Sequence, residues 1–79
     1  SCEISINQLL RHAINQHASN IVIAHNHPFG RAHASDADIQ LTQRILTACH
    51  LLEINLIDHC IVSPEGSYSF AEHGLIQPQ

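Results

Sequence analysis

The chain has no lysine, and its cations are three arginines set far apart, Arg11, Arg31 and Arg44, against seven acidic residues. A nucleic-acid surface draws its affinity from clustered cations that displace counterions from phosphates. A formal charge of −4 with scattered arginines therefore speaks against direct nucleic-acid binding by this segment. The eight histidines add positive charge only as the pH falls toward their pKa. Cysteine is also scarce. Cys2, Cys49 and Cys60 are odd in number, widely spaced and without a CxxC pair, which excludes a disulfide framework. They are expected to be buried or terminal thiols in a reducing compartment, the cytoplasm. No apolar run approaches the roughly 20 residues that span a bilayer, so no membrane segment is expected. Charged residues make up only 13% of the chain and hydrophobic ones 44%, a balance that disfavours disorder. Seventy-nine residues make one small domain with a thin stability margin, which a bound metal would widen. The first residue is Ser1 and no signal peptide is visible, so the chain is expected to be an internal piece of a longer protein.

What the chain does have is periodicity. Ile6, Leu9, Leu10, Ala13 and Ile14 follow the spacing of one helical face, and Ser5 with Gln8 reads as a capping box. This predicts a helix from Ser5 to His17, with a break over Ala18 to Asn20. Ile21-Val22-Ile23-Ala24 is too short for a helix and is predicted as a buried strand. Pro28-Phe29-Gly30 is turn chemistry in a loop running to Ala34. Ser35 is expected to cap a second helix reaching about Leu52, with Leu41, Ile45, Ala48, Cys49 and Leu52 on its buried face. Leu56 to Val62 is predicted as a strand, Ser63-Pro64-Glu65-Gly66 as a turn, and Ser67 to Phe70 as the return arm of a hairpin. Gly74 and Pro78 mark an expected loose tail. The order is α-β-α-β-β, a helix packed on a thin sheet.

The densest polar stretch, Ala24 to Asp38, reads AHNHPFGRAHASDAD. His25 and His27 are two apart at a strand end, so both imidazoles are expected on one face. Asp38 lies one turn inside the next helix, where its carboxylate can return toward them. Two imidazoles and a carboxylate suit Zn²⁺, and three ligands leave a position open for water, as in catalytic zinc sites. Ser35 begins the helix that carries Asp38, so its hydroxyl is expected beside the ion as a donor to a developing oxyanion. Each residue also has a plainer explanation. His-x-His alone is weak, Ser35 is complete as a helix cap, and Asp38 fits a capping box and the helix dipole. His33 is expected to be a solvated loop residue, with a role as substitute ligand the lesser option. The tripeptide HNH carries no meaning as a nuclease signature when its letters are contiguous. Asp58 and His59, a polar pair inside an apolar strand, need partners. Core hydrogen bonding is the favoured role and support of a zinc ligand the second. Glu72 and His73 are expected at the surface.

Taken together, His25-x-His27, seven residues, Ser35, two residues, Asp38 resembles the H-x-H-x7-S-x2-D pattern of the JAMM/MPN+ metalloprotease family. HNHPFG, the Ser35-Asp36-Ala37-Asp38-Ile39 helix start, Ile57-Asp58-His59 and Ser69-Phe70-Ala71-Glu72-His73-Gly74 resemble the JAB domain of bacterial RadC-like DNA repair proteins, from about Ile4 to Leu75. The resemblance implies a JAB/MPN-like, cytidine-deaminase-like α+β fold over residues 1–79, a single domain expected to lack its N-terminal strands. It implies zinc ligands His25, His27 and Asp38, with Ser35 beside the bound water. The chain departs from the family at Phe29, usually a small residue, and at Ala34, usually proline. The family's catalytic glutamate comes from a strand upstream of the first helix, and Glu3 does not occupy that place.

The expected function is thus a zinc-dependent hydrolase of the metallopeptidase or isopeptidase type, acting on an unknown peptide or protein and associated with DNA repair. One alternative is a non-catalytic zinc-binding interaction module in DNA repair. Another is a metal-dependent phosphoesterase on nucleic acid, against which the acidic balance counts. For lack of the upstream glutamate, these 79 residues alone are expected to bind zinc without catalysing. The exposed edge of the Ile21 to Ala24 strand is expected to offer a surface for a homodimer.

Overall fold

The computed structural model describes residues 5–77, so the expectations for Cys2, Glu3 and Pro78 lie outside the described residues. The elements are α1 (Ile6–Asn15), β1 (Asn20–Asn26), α2 (Asp36–Leu51), β2 (Asn55–Ser63) and β3 (Gly66–Ser69), the α-β-α-β-β order predicted. Strand β1 lies parallel to β2, with α2 as the crossover that a parallel pair requires. Strand β3 folds back antiparallel on β2, giving the order β1-β2-β3. Ser63 pairs with Gly66 across the turn, and Gly66 has φ +146°, a conformation that L side chains rarely adopt. Among the described residues, no helix is long and apolar enough to cross a membrane.

Both helices end in the same way. Their terminal amides turn back onto the last carbonyls, Ala18 onto Ala13 (2.9 Å) and His17 onto Ile14 (3.0 Å) in α1. In α2 the same pair runs from Ile54 to Cys49 (2.8 Å) and from Glu53 to His50 (3.2 Å). This is the Schellman motif, which needs one left-handed residue, usually glycine. Here His17 (φ 54°) and Glu53 (φ 57°) fill that position. The absence of glycine is why the sequence gives no sharp stop for either helix.

The core joins Ile23 of β1, Leu56 and Ile61 of β2, Ile45 and Cys49 of α2, and Ala13 of α1. Leu52, predicted on the buried face of α2, is 43% exposed, while Thr42 is 1% exposed on that face. The segment after β3 is anchored where a loose tail was expected, because Phe70 and Ile76 are buried in the core. The register of β2 shifts by one residue: Ile21 pairs with Leu56 but Val22 with Asp58, so Ile57 is the extra residue of a β-bulge. Past the bulge the alternation resumes, with His59 and Ile61 buried and Asp58 and Cys60 only partly so. Alternation sends Asp58 and His59 to opposite faces, and the bulge decides that His59 is the one turned to the core.

Candidate metal centre

The end of β1 and the start of α2 meet around His25 and Asp38. The β ladder continues one residue past β1, where the His27 amide donates to the Val62 carbonyl at 2.7 Å. After the loop, Ser35 caps α2 with a complete capping box. The Asp38 amide donates to Ser35 Oγ (3.1 Å), and the Ser35 amide donates to Asp38 Oδ2 (3.0 Å). One carboxylate oxygen is therefore fixed by the cap. The other, Oδ1, stands 3.9 Å from His25 Nδ1, and both side chains are mostly buried.

Burial pushes the Asp38 carboxyl upward, but the amide and hydroxyl of Ser35, then His25 and His59, outweigh it and hold it below the ordinary 3.8. Asp38 is accordingly a carboxylate at neutral pH. His59, fully buried, has its pKa pushed below 6.5 by burial and by His25, against the opposing pull of Asp38 and Asp58. Its Nδ1 lies 2.7 Å from Thr42 Oγ1, and Thr42 in turn donates to the Asp38 carbonyl at 2.8 Å. The His59 ring stacks on Phe70 at 4.5 Å and lies beside the His25 ring at 5.7 Å.

Of the three expected ligands, the structure brings His25 and Asp38 together. His27 lies instead with its ring 5.4 Å from that of His33, which is exposed in the loop. Among the described residues, no three His, Cys, Asp or Glu side chains converge to enclose an ion. The fit of zinc to the pair present follows from two observations. His25 Nδ1 is buried with no hydrogen-bond partner among the described residues, and with its proton on Nε2 it would offer a cation a free donor atom. Two donors on one tetrahedral zinc, each about 2.0–2.1 Å from it, stand about 3.3 Å apart. The 3.9 Å between His25 Nδ1 and Asp38 Oδ1 is within easy reach of that spacing. A place for His27 in such a set would require its partly exposed side chain to turn away from His33.

Asp58 plays a separate part. Its carboxylate accepts from Ser69 Oγ (2.5 Å), the amides of His59 (2.7 Å) and Ala71 (2.9 Å), and more weakly Cys60 Sγ (3.4 Å). It ties β2 to the turn after β3 that carries Phe70. Burial raises its pKa, but these hydrogen bonds prevail and lower it below 3.8. Cys49 and Cys60 are free thiols. Glu72 and His73 are exposed, and the His73 ring stacks on Tyr68 at 3.9 Å. Thr42 and Phe70 border the centre without belonging to the expected ligand set. A signal for Thr42 was present: Asp38, Thr42, Ile45 and Cys49 form one helical stripe, in which a polar residue stands among core positions.

Comparison with known proteins places these features in company. Residues 1–75 match the model of the family described as RadC-like JAB domain. A UPF0758 protein of Acinetobacter baumannii is 58% identical over 98% of this chain and 33% of its own length. One from Acinetobacter baylyi is 55% identical over 96% of this chain and 28% of its own. Another, from Psychrobacter cryohalolentis, is 45% identical over 95% of this chain and 33% of its own. The chain spans about a third of the length of the curated relatives it matches.

Proposed function

Because this chain belongs to the RadC-like JAB domain family, we propose that it forms the metal centre of a zinc-dependent hydrolase of the metallopeptidase or isopeptidase type. Its ligands are His25, His27 and Asp38. The observation that carries the proposal is the buried, unpartnered Nδ1 of His25 facing the fixed carboxylate of Asp38 at 3.9 Å. Metal-free, that desolvated nitrogen has no hydrogen-bond partner among the described residues, which costs about 1–3 kcal/mol. A cation between the two removes this penalty.

Each residue has a task that follows from its surroundings. Asp38 is held charged and oriented by the capping box. His25 offers a bare nitrogen from the end of a paired strand. His27, at the mouth of the loop, closes the set by rotation. Ser35 holds its hydroxyl against the Asp38 amide, whose hydrogen bond it accepts, and close to the Asp38 carboxyl, from where it can donate to an oxyanion that develops on a carbonyl substrate. The chemistry that zinc supplies when bound is Lewis acidity, which makes water available as a nucleophile near pH 7. The substrate class is an amide or isopeptide bond, and an association with DNA repair is part of the proposal for the longer protein.

The test is the metal content of the chain and of His25→Ala, His27→Ala and Asp38→Ala after loading with zinc, with His33→Ala as a control. Each of the three should lose most of the zinc and His33→Ala should keep it. Full occupancy in all three variants would overturn the assignment. Turnover belongs to the longer protein, assayed on isopeptide and phosphodiester substrates with zinc and with magnesium or manganese. Cleavage of the phosphodiester alone would replace the peptidase reading with a phosphoesterase.

A further inference from the structure

We infer that His59, acting through Thr42, is a positioning residue for Asp38. Three residues form a chain from the sheet to the candidate ligand: His59 Nδ1, Thr42 Oγ1 and the Asp38 carbonyl, with links of 2.7 and 2.8 Å. Thr42 is 1% exposed and His59 is fully buried, so water does not compete for either link. A threonine hydroxyl has one hydrogen. Thr42 donates it to the Asp38 carbonyl, four residues back on the same helix. Toward His59 it must then accept, which places the His59 proton on Nδ1. The ring's other nitrogen, Nε2, is left bare, buried and without a hydrogen-bond partner among the described residues.

Packing does not account for a histidine here. The ring stacks on Phe70 at 4.5 Å, and an apolar side chain would fill that space without a desolvated nitrogen. What a histidine adds is the Nδ1–H. This donor fastens the first turn of α2 to β2, and the capping box passes that constraint to the Asp38 carboxylate. His59 also lies beside the His25 ring, so one side chain borders both halves of the pair. Side chains that orient metal ligands from behind typically change affinity by about 10–100-fold when lost.

The inference rests on the proposed zinc site for its functional meaning, and its test has one readout that does not. The variants are Thr42→Val, which removes a hydroxyl and keeps the branched shape, His59→Leu, the double variant and His59→Asn. In Asn, the side-chain amide can donate from near the Nδ1 position. Zinc titration should show affinity weakened about 10–100-fold in Thr42→Val and His59→Leu. The double variant should be no weaker than the worse single one, and His59→Asn should recover most of the loss. In the zinc-free chain, amide hydrogen exchange at Ser35 and Asp38 should quicken in Thr42→Val, relative to the last turn of α2. Unchanged zinc affinity with altered stability alone would overturn the inference and leave His59 as a packing residue. If the unmodified chain takes up no zinc, the proposed function falls. Exchange then decides the tether: unchanged protection at Ser35 and Asp38 refutes it, and quickened exchange supports it.

Discussion

Replacing Ser35 by alanine tests how the site is built. In the folded chain Ser35 Oγ accepts the Asp38 amide at 3.1 Å, one of the amides at the start of α2 that lack an intrahelical partner. Alanine cannot accept it. Loss of such a cap costs about 1 kcal/mol, within a range of roughly 0.5–2. For a domain of this size, 1 kcal/mol lowers Tm by about 4–8 °C. Ser35→Asp restores an acceptor and should recover most of the stability. The same pair separates capping from chemistry in the longer protein, because a carboxylate cannot donate to an oxyanion. Both variants should then abolish turnover, although only alanine destabilises the fold. Thermal unfolding followed by circular dichroism, with peptide hydrolysis in parallel, reads both effects. If Ser35→Ala leaves Tm unchanged, the capping account is refuted. If it destabilises while turnover persists, Ser35 is a cap and nothing more.

Three further outcomes follow from the packing. Phe70→Ala removes a fully buried ring stacked on His59 and should destabilise by about 3–5 kcal/mol, leaving much of the chain unfolded in urea-free buffer; a two-state transition with unchanged midpoint would contradict this. Glu53→Gly relieves a left-handed residue at φ 57° and should stabilise by roughly 0.5–1 kcal/mol, read as a higher urea midpoint, whereas a lower midpoint would show that the Glu53 side chain matters. Asp58 is held below its ordinary pKa of 3.8 in the folded state, so the unfolded chain binds its proton first. Its stabilisation is therefore full above about 3.8 and is lost as the pH falls through the lower folded value. Asp58→Asn should flatten that acid limb, and an unchanged limb in pH-dependent denaturation would assign it to other carboxylates.

The parts of this fold that were legible in the sequence are those set by local pattern. Ser35 and Asp38 announce a helix start because a capping box is a contact between residues three apart. The β-branched run at Ile21 to Ile23 can hardly be anything but a strand, although it extends to Asn26 and carries His25 within it. The less legible parts depend on residues distant in sequence. The roles of Asp58 and His59 turn on a bulge at Ile57, which arises from pairing with β1 more than thirty residues earlier. Only that bulge sends His59 inward to Thr42 and leaves Asp58 for Ser69 and Ala71. The anchoring of Phe70 likewise depends on distant pairings: its amide donates to the His59 carbonyl at 3.0 Å, and the flanking Ser69 and Ala71 donate to Asp58. The placement of His27 beside His33 was open as well, because alternation along a strand fixes a side chain only while the strand lasts, and β1 ends at Asn26.

The most direct measurement of the central claim is zinc K-edge X-ray absorption on the zinc-loaded chain at one equivalent. The proposed centre predicts a first shell of nitrogen and oxygen alone at about 2.0–2.1 Å, with imidazole scattering from two histidines that falls to one in His27→Ala. A sulfur shell near about 2.3 Å would place the metal on a cysteine instead, and imidazole scattering unchanged in both His25→Ala and His27→Ala would place it elsewhere in the chain. Either result would contradict a zinc centre built on the end of β1 and the first turn of α2.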